Sequence, residues 1–206
     1  EITTADSRAL ILRGEGKVFC SGFDLSLCHQ SADGSVMRSL LQGLSDCIAA
    51  LRDLPIPIVI AAHGGAIAGG CALLGGCDLA VTDAAAQLGY PVVRLGISPA
   101  VSAPFLRNSL TFGHARERLL DSGLISGTEA KRIGLVTECC AMPEGVFPRA
   151  LAIAETLASK PPGAMSETRR WLRELESHDQ RVTREQALDV SLGRTGTAEE
   201  STRLAA

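Results

Sequence analysis

Ile58-Val59-Ile60-Ala61-Ala62 is an unbroken apolar run, and His63-Gly64-Gly65-Ala66-Ile67-Ala68-Gly69-Gly70-Cys71-Ala72-Leu73-Leu74 follows it directly. A strand without polar alternation is covered on both faces. Glycines 64 to 70 read as a turn that opens into a helix of small residues, and Leu79-Ala80-Val81-Thr82 reads as the next buried strand. Strand, helix, strand in that order predicts a crossover α/β layer.

The rest of the chain is organised around that layer. Arg8 to Arg13 is a short apolar strand closed by Gly14 and Gly16. Met37, Leu40, Leu41, Leu44, Cys47, Ile48, Leu51 and Leu54 repeat every three or four residues and predict an amphipathic helix, stopped by Pro55 and Pro57. A helical stretch follows over Ala115 to Ser122, then a hydroxyl-capped helix beginning at Thr128, and Gly134-Leu135-Val136 predicts a return to strand. Beyond Met142-Pro143 strand signals vanish, and helices are expected over Val146 to Ala158, Gly163 to Leu175 and Thr183 to Leu192. The expected division is an α/β core over 1–143 and a helical appendage over 144–206, and 206 residues suit one domain of that size.

Charge and composition remove several functions. Twenty Lys and Arg against 23 Asp and Glu leave a formal charge of -3, and with five Phe, Trp171 and Tyr90 the chain has neither the positive field nor the stacking platform of a nucleic-acid binder. The longest apolar stretch, Ile56 to Ala62, is far short of the roughly 20 residues that span a bilayer, and no basic-then-apolar leader opens the sequence. Seven cysteines without a C-x-x-C pair read as reduced, mostly buried thiols in a cytoplasmic protein. The four histidines, His29, His63, His114 and His178, lack metal-ligand spacing, and no metal is expected. The phosphate-loop, nucleophile-elbow and H-E-x-x-H patterns are also absent.

Two glycine turns remain as chemistry. Phe19-Cys20-Ser21-Gly22-Phe23-Asp24-Leu25 turns after the first strand, where Gly22 lets the Phe23 amide point into a cleft. In the second turn the amides near Gly69 and Gly70 open a helix and have no partner within it. Singly, each is an ordinary strand-to-helix turn; two such donors converging on one oxygen would form an oxyanion hole.

Order and spacing make the chain resemble the crotonase (enoyl-CoA hydratase/isomerase) superfamily. The resemblance rests on Lys17 to Leu25, on Pro55 to Ala61 with Gly64 to Asp78, on Ala86 to Pro91 with Arg94 to Ile97, and on Gly113 to Leu120 with Ser126, Glu129-Ala130 and Gly134 to Val136. It implies a crotonase-like spiral of strand-strand-helix units with a C-terminal helical region used in trimers or dimers of trimers. It implies an acyl thioester as partner, carried by coenzyme A or a carrier-protein arm, with no separate cofactor. The Phe23 and Gly69 amides would hold the thioester oxygen, and Ser21, Gly22, Asp24, Leu25, Ala66, Gly70, Ala72 and Val92 would surround the substrate. Asp24 also reads as a turn cap and Asp78 as structural. Such relatives usually have a strand-rich N-terminal segment at the coenzyme A cleft; none precedes Glu1, which implies a trimmed chain or an altered cleft.

Departures from the family pattern narrow the chemistry. Hydratases place carboxylates where this chain has Ala72 and Val92, and neither side chain can carry a proton. Ala100 is equally inert, and Ser98-Pro99-Ala100-Val101-Ser102-Ala103 replaces a glycine-rich turn. Tyr90 is a packing aromatic rather than an acid, and Cys71 is a small buried thiol whose pKa a helix start would lower only if it were exposed. Lyase or isomerase chemistry in fatty-acid metabolism is implied, with hydration doubtful. The alternatives are decarboxylation of a malonyl-type thioester, a non-catalytic thioester-binding or assembly subunit, and, far behind, a Cys71 hydrolase.

Overall fold

The structure is a computed structural model, and it describes residues 7–28, 33–178, 184–193 and 195–204. His29 and Thr183, the expected start of the last helix, lie outside them. In chain order the elements are β1 (Leu10–Arg13), α1 (Leu25–Cys28), α2 (Ser35–Asp53), β2 (Ile58–Ala62), β3 (Gly65–Ile67), α3 (Gly69–Ala72), β4 (Leu79–Asp83), β5 (Gln87–Gly89) and α4 (Ala103–Ser109). They continue with α5 (Phe112–Leu120), β6 (Ile125–Ser126), α6 (Gly127–Ile133), β7 (Glu138–Cys140), α7 (Val146–Ala158), α8 (Pro162–His178), α9 (Arg184–Leu192) and α10 (Ala198–Leu204).

β1, β2, β4 and β7 form a parallel sheet in that order, with Leu10 opposite Ile58, Val59 opposite Leu79 and Val81 opposite Glu138. All five β2 residues are fully buried, as an unalternating apolar strand requires. Ile60 and Ala62 join Met37, Leu41 and Ile48 of α2 in one apolar cluster, while Val59, Ala61 and Val81 join α7 in another. A smaller sheet, β3-β5-β6, stands beside the glycine turns, with β3 parallel to β5 and β5 antiparallel to β6.

Several expectations are corrected. Cys47 of the α2 stripe is exposed, and Ser45 takes the buried position, bonded to Arg184 Nε at 2.9 Å. The small-residue helix after the second glycine turn is the single turn α3 followed by a 3-10 turn, Leu73–Gly76, because its glycines lack the propensity to extend it. Ser126, not Thr128, caps α6, its hydroxyl accepting the Glu129 amide at 3.2 Å. Leu135 and Val136 are buried turn residues, and the strand starts at Glu138, four residues beyond the expected Gly134. α10 had no sequence signal.

The apolar stripe of α7, Val146, Ala150, Ile153 and Ala154, is buried against β2 and β4 within the chain, so it is not left over for a neighbouring subunit. α8 is bound to the body through charge. Arg169 Nε donates to both Asp78 oxygens at 2.9 and 2.8 Å and its guanidinium also reaches the Leu54 carbonyl; Arg173 pairs with Asp53 at 3.0 Å and Glu176 with Arg52. Trp171, Leu172 and Leu175 of the same helix are exposed.

Candidate active site

The two glycine turns meet. Gly22 has φ +102°, a left-handed conformation that favours glycine, and a methyl group there would lie 3.0 Å from the Ala68 Cβ and 3.6 Å from the Gly69 nitrogen. A Cβ on Gly70 would sit 2.3 Å from the Cys20 carbonyl oxygen, so only glycine lets α3 start this close to the first turn. The Ile67 amide donates to Cys20 O at 2.9 Å and the Cys20 amide to Gly65 O at 3.2 Å, which fastens the turns edge to edge. Between them Ala68 has φ 52° and ψ -116°, the only positive φ at a non-glycine among the described residues. Its amide is fixed by Gly89 O at 2.9 Å, so the chain absorbs the strain one residue before the Gly69 amide.

Beside this junction lies a chamber of about 310 Å³. Ser21, Phe23, Leu25, Gly69, Ala72 and Val92 line it, and the Phe23 and Gly69 amides have no hydrogen-bond acceptor among the described residues. Gly22, Asp24, Ala66 and Gly70 do not line it. Gly22 and Gly70 shape the junction, Ala66 is fully buried in β3, and Asp24 caps α1 by accepting from the Ser26 amide at 3.0 Å and hydroxyl at 2.6 Å. The Ser26 hydroxyl, then its amide, holds the Asp24 carboxyl below the usual range. Asp78, at the end of β2 opposite the glycine turns, accepts the Ile58 amide at 2.7 Å and pairs with Arg169, a structural position.

The remaining walls were not singled out from sequence as a site. Met37, Leu41 and Leu44, at i, i+4 and i+7 on α2, had the periodicity of core residues, and the fold turns that half of the stripe to the chamber. Leu95, Ile97 and Val101 also line it. No carboxylate lines the chamber; Arg94 is its one charged residue among those described, exposed and donating Nε to Ser122 Oγ at 2.6 Å.

No side chain here is poised to move a proton. Ala72 is buried and Val92 half-buried, both facing the chamber. Tyr90 is buried with its hydroxyl donating to Cys71 O at 3.2 Å, and burial lifts its pKa well above the ordinary value. Burial also pushes the Cys71 thiol up to about 12, so the thiolate a hydrolase would need is absent at neutral pH. α3 is too short for a helix dipole to offset that desolvation. His63 Nε2 lies 3.0 Å from the Gly16 carbonyl and His114 has a buried, unpartnered Nδ1; neither lines the chamber. No cluster among the described residues could hold a metal ion, and no described helix is long and apolar enough to cross a membrane.

Fold and site together define an α/β protein in which two adjoining glycine turns border an apolar chamber. The sequence model of the enoyl-CoA hydratase/isomerase family matches residues 2–203, and the chain belongs to that family. It is 32% identical over 175 residues to the enoyl-CoA hydratase EchA19 of Mycobacterium tuberculosis, covering 83% of this chain and 65% of that one. It is 31% identical over 196 residues to the peroxisomal Delta(3,5)-Delta(2,4)-dienoyl-CoA isomerase of Arabidopsis thaliana, covering 89% and 69%. The crystal structure of an enoyl-CoA hydratase/isomerase from Xanthobacter autotrophicus Py2 superposes with a TM-score of 0.86 at 28% identity, over 98% of this chain and 77% of that one. The chain spans 62% to 66% of the length of three curated relatives that it matches.

Proposed function

We propose that the chamber binds an acyl thioester, of coenzyme A or a carrier arm, and that the Phe23 and Gly69 amides donate to its carbonyl oxygen. The observation that carries this reading is the pair of amides without an acceptor among the described residues, on adjoining turns whose residues Phe23 and Gly69 line one apolar chamber. Chemistry at the thioester α-carbon passes through an enolate, and fixed donors at that oxygen stabilise the charge where it develops, one donor being worth about 10²- to 10³-fold in rate. Hydration also needs groups to deprotonate water and protonate the α-carbon. Ala72 and Val92 supply neither, so hydration is not the reaction of this site.

Decarboxylation of a malonyl-type thioester is the second reading, favoured by that same lack of carboxylates. Breaking the bond to the carboxylate releases CO₂ and leaves its electron pair on the α-carbon as the enolate, which water then protonates, so no protein base is required. The experiment is titration calorimetry with butyryl-CoA on the wild-type chain and on Gly69→Pro, which deletes one N–H, together with turnover of crotonyl-CoA and malonyl-CoA. The expected outcome is butyryl-CoA binding that weakens at least tenfold in Gly69→Pro, with no crotonyl-CoA hydration. Acetyl-CoA formed from malonyl-CoA selects the second reading, and binding without turnover selects a thioester-binding subunit. Crotonyl-CoA turnover at ordinary enzyme rates overturns the exclusion of hydration, and absence of any binding overturns the thioester site.

A further inference from the structure

One wall of the chamber is Ile97-Ser98-Pro99 and the 3-10 turn Ala100–Ser102 that follows. By the family resemblance, this is the stretch that stands in place of a glycine-rich turn. The wall is thin. Ile97, Ser98 and Pro99 face the chamber on one side and a more open hollow of about 420 Å³ on the other. That hollow shares Ala100 and Ala103 with a surface groove of about 570 Å³ beyond it.

From behind, α9 reaches the wall with a hydroxyl. Ser191 of α9 is fully buried; its Oγ accepts the Val101 amide at 3.3 Å and donates to the Ser98 carbonyl at 2.9 Å. One side chain therefore satisfies the buried Val101 donor and the half-buried Ser98 acceptor on either side of Pro99, and its loss would leave the Val101 amide unpaired. Through Arg184, whose Nε donates to Ser45 Oγ at 2.9 Å, α9 is also tied to α2, which carries Met37, Leu41 and Leu44 of the opposite wall. The spacing between the two walls is thus held by one helix that contributes no residue to the chamber lining.

We propose that the Ile97–Ser102 wall, with Ser191 as its positioning residue, sets the length of acyl chain the site accepts. The inference rests on the thioester reading above and names its substrate class: a hydrocarbon acyl group of short to medium length. At about 310 Å³ the chamber is at the small end for a ligand site, which suits an acyl chain of short to medium length. The facing leucines and methionine pack against hydrocarbon and offer a polar group no partner on that side. On this proposal a longer chain runs into the wall that separates the chamber from the outer hollow.

The test is titration calorimetry of the full chain with butyryl-, octanoyl- and dodecanoyl-CoA. Each buried methylene is worth about fourfold in affinity, so octanoyl-CoA is expected to bind at least tenfold tighter than butyryl-CoA, and dodecanoyl-CoA at least tenfold weaker than octanoyl-CoA. In Ser191→Ala the dodecanoyl-to-octanoyl affinity ratio is expected to rise at least fivefold. Val101→Ala opens the same wall without touching Ser191 and is expected to move the ratio in the same direction, so a Ser191 variant that fails to fold leaves the test intact. Dodecanoyl-CoA binding the wild-type chain as tightly as octanoyl-CoA overturns the proposal, as does a ratio that no folded wall variant moves. Butyryl-CoA binding with no length preference topples this inference alone; failure of every acyl-CoA to bind topples the thioester reading and this one with it.

Discussion

Ala68 shows how a single residue is both legible and hidden. Its neighbours Gly69 and Gly70 announce a turn, yet nothing in the letter Ala tells that the fold requires φ 52° and ψ -116° there. An L-residue pays of the order of 1–3 kcal/mol for such a conformation, and glycine pays almost none, though it gives back about 0.4–1 kcal/mol through the unfolded chain. Ala68→Gly is therefore expected to stabilise the protein by about 1 kcal/mol, a rise of about 2–4 °C in Tm for a chain of this size. A calorimetric scan in which the variant melts at or below the wild-type temperature would refute the strain. Ala72 and Val92 are the opposite case. Their inertness was readable from the sequence because it depends on which atoms they carry, and the structure adds only that both face the chamber.

Among elements, helix α8 departs furthest from its sequence pattern. It was readable as a helix from its length and the prolines before it, but not in its orientation. The face turned to the body is ionic, with Arg169 almost fully buried against Asp78, while Trp171, Leu172 and Leu175 point outward. Deleting one partner of a buried pair strands the other, at about 3–5 kcal/mol when both are enclosed. Asp78 keeps 33% of its side chain in solvent, so the expectation for Arg169→Ala is lower, about 2 kcal/mol and a fall of about 4–8 °C in Tm. Arg169→Lys keeps the charge but not the two-oxygen contact, and should fall between. A melt of Arg169→Ala indistinguishable from wild type would show that the pair contributes nothing. α2 was legible as an amphipathic helix, but its division into a core half and a chamber half was not, because both halves obey one period.

At the scale of the whole molecule, α8 leaves a row of apolar side chains in solvent. Trp171 and Leu172 are 55% and 53% exposed, more than an isolated apolar residue needs to be explained by, and they adjoin Leu175 at 48%. We expect self-association through this face, as the trimer or dimer of trimers that the family resemblance implies, and not through the α7 stripe, which the sheet consumes. Light scattering at micromolar concentration should then give a multiple of 21.5 kDa. Trp171→Glu should shift the mass to the monomer, and since Trp171 is the chain's one tryptophan, its emission should move to the red as the wild-type protein is diluted to dissociation. A monomeric wild-type mass would count against the face. The sequence by itself determined the class of fold, the two glycine turns and the missing carboxylates, because unalternating apolar runs, glycine at positions no side chain fits, and the absence of an ionisable group are local properties of the residues. Only the tertiary structure decided which half of α2 faces the chamber, that α7 closes the sheet, and that Ser191, far along the chain, holds a wall of the site. Those are contacts between segments distant in sequence, and local periodicity carries no information about which of two apolar surfaces a given stripe will meet.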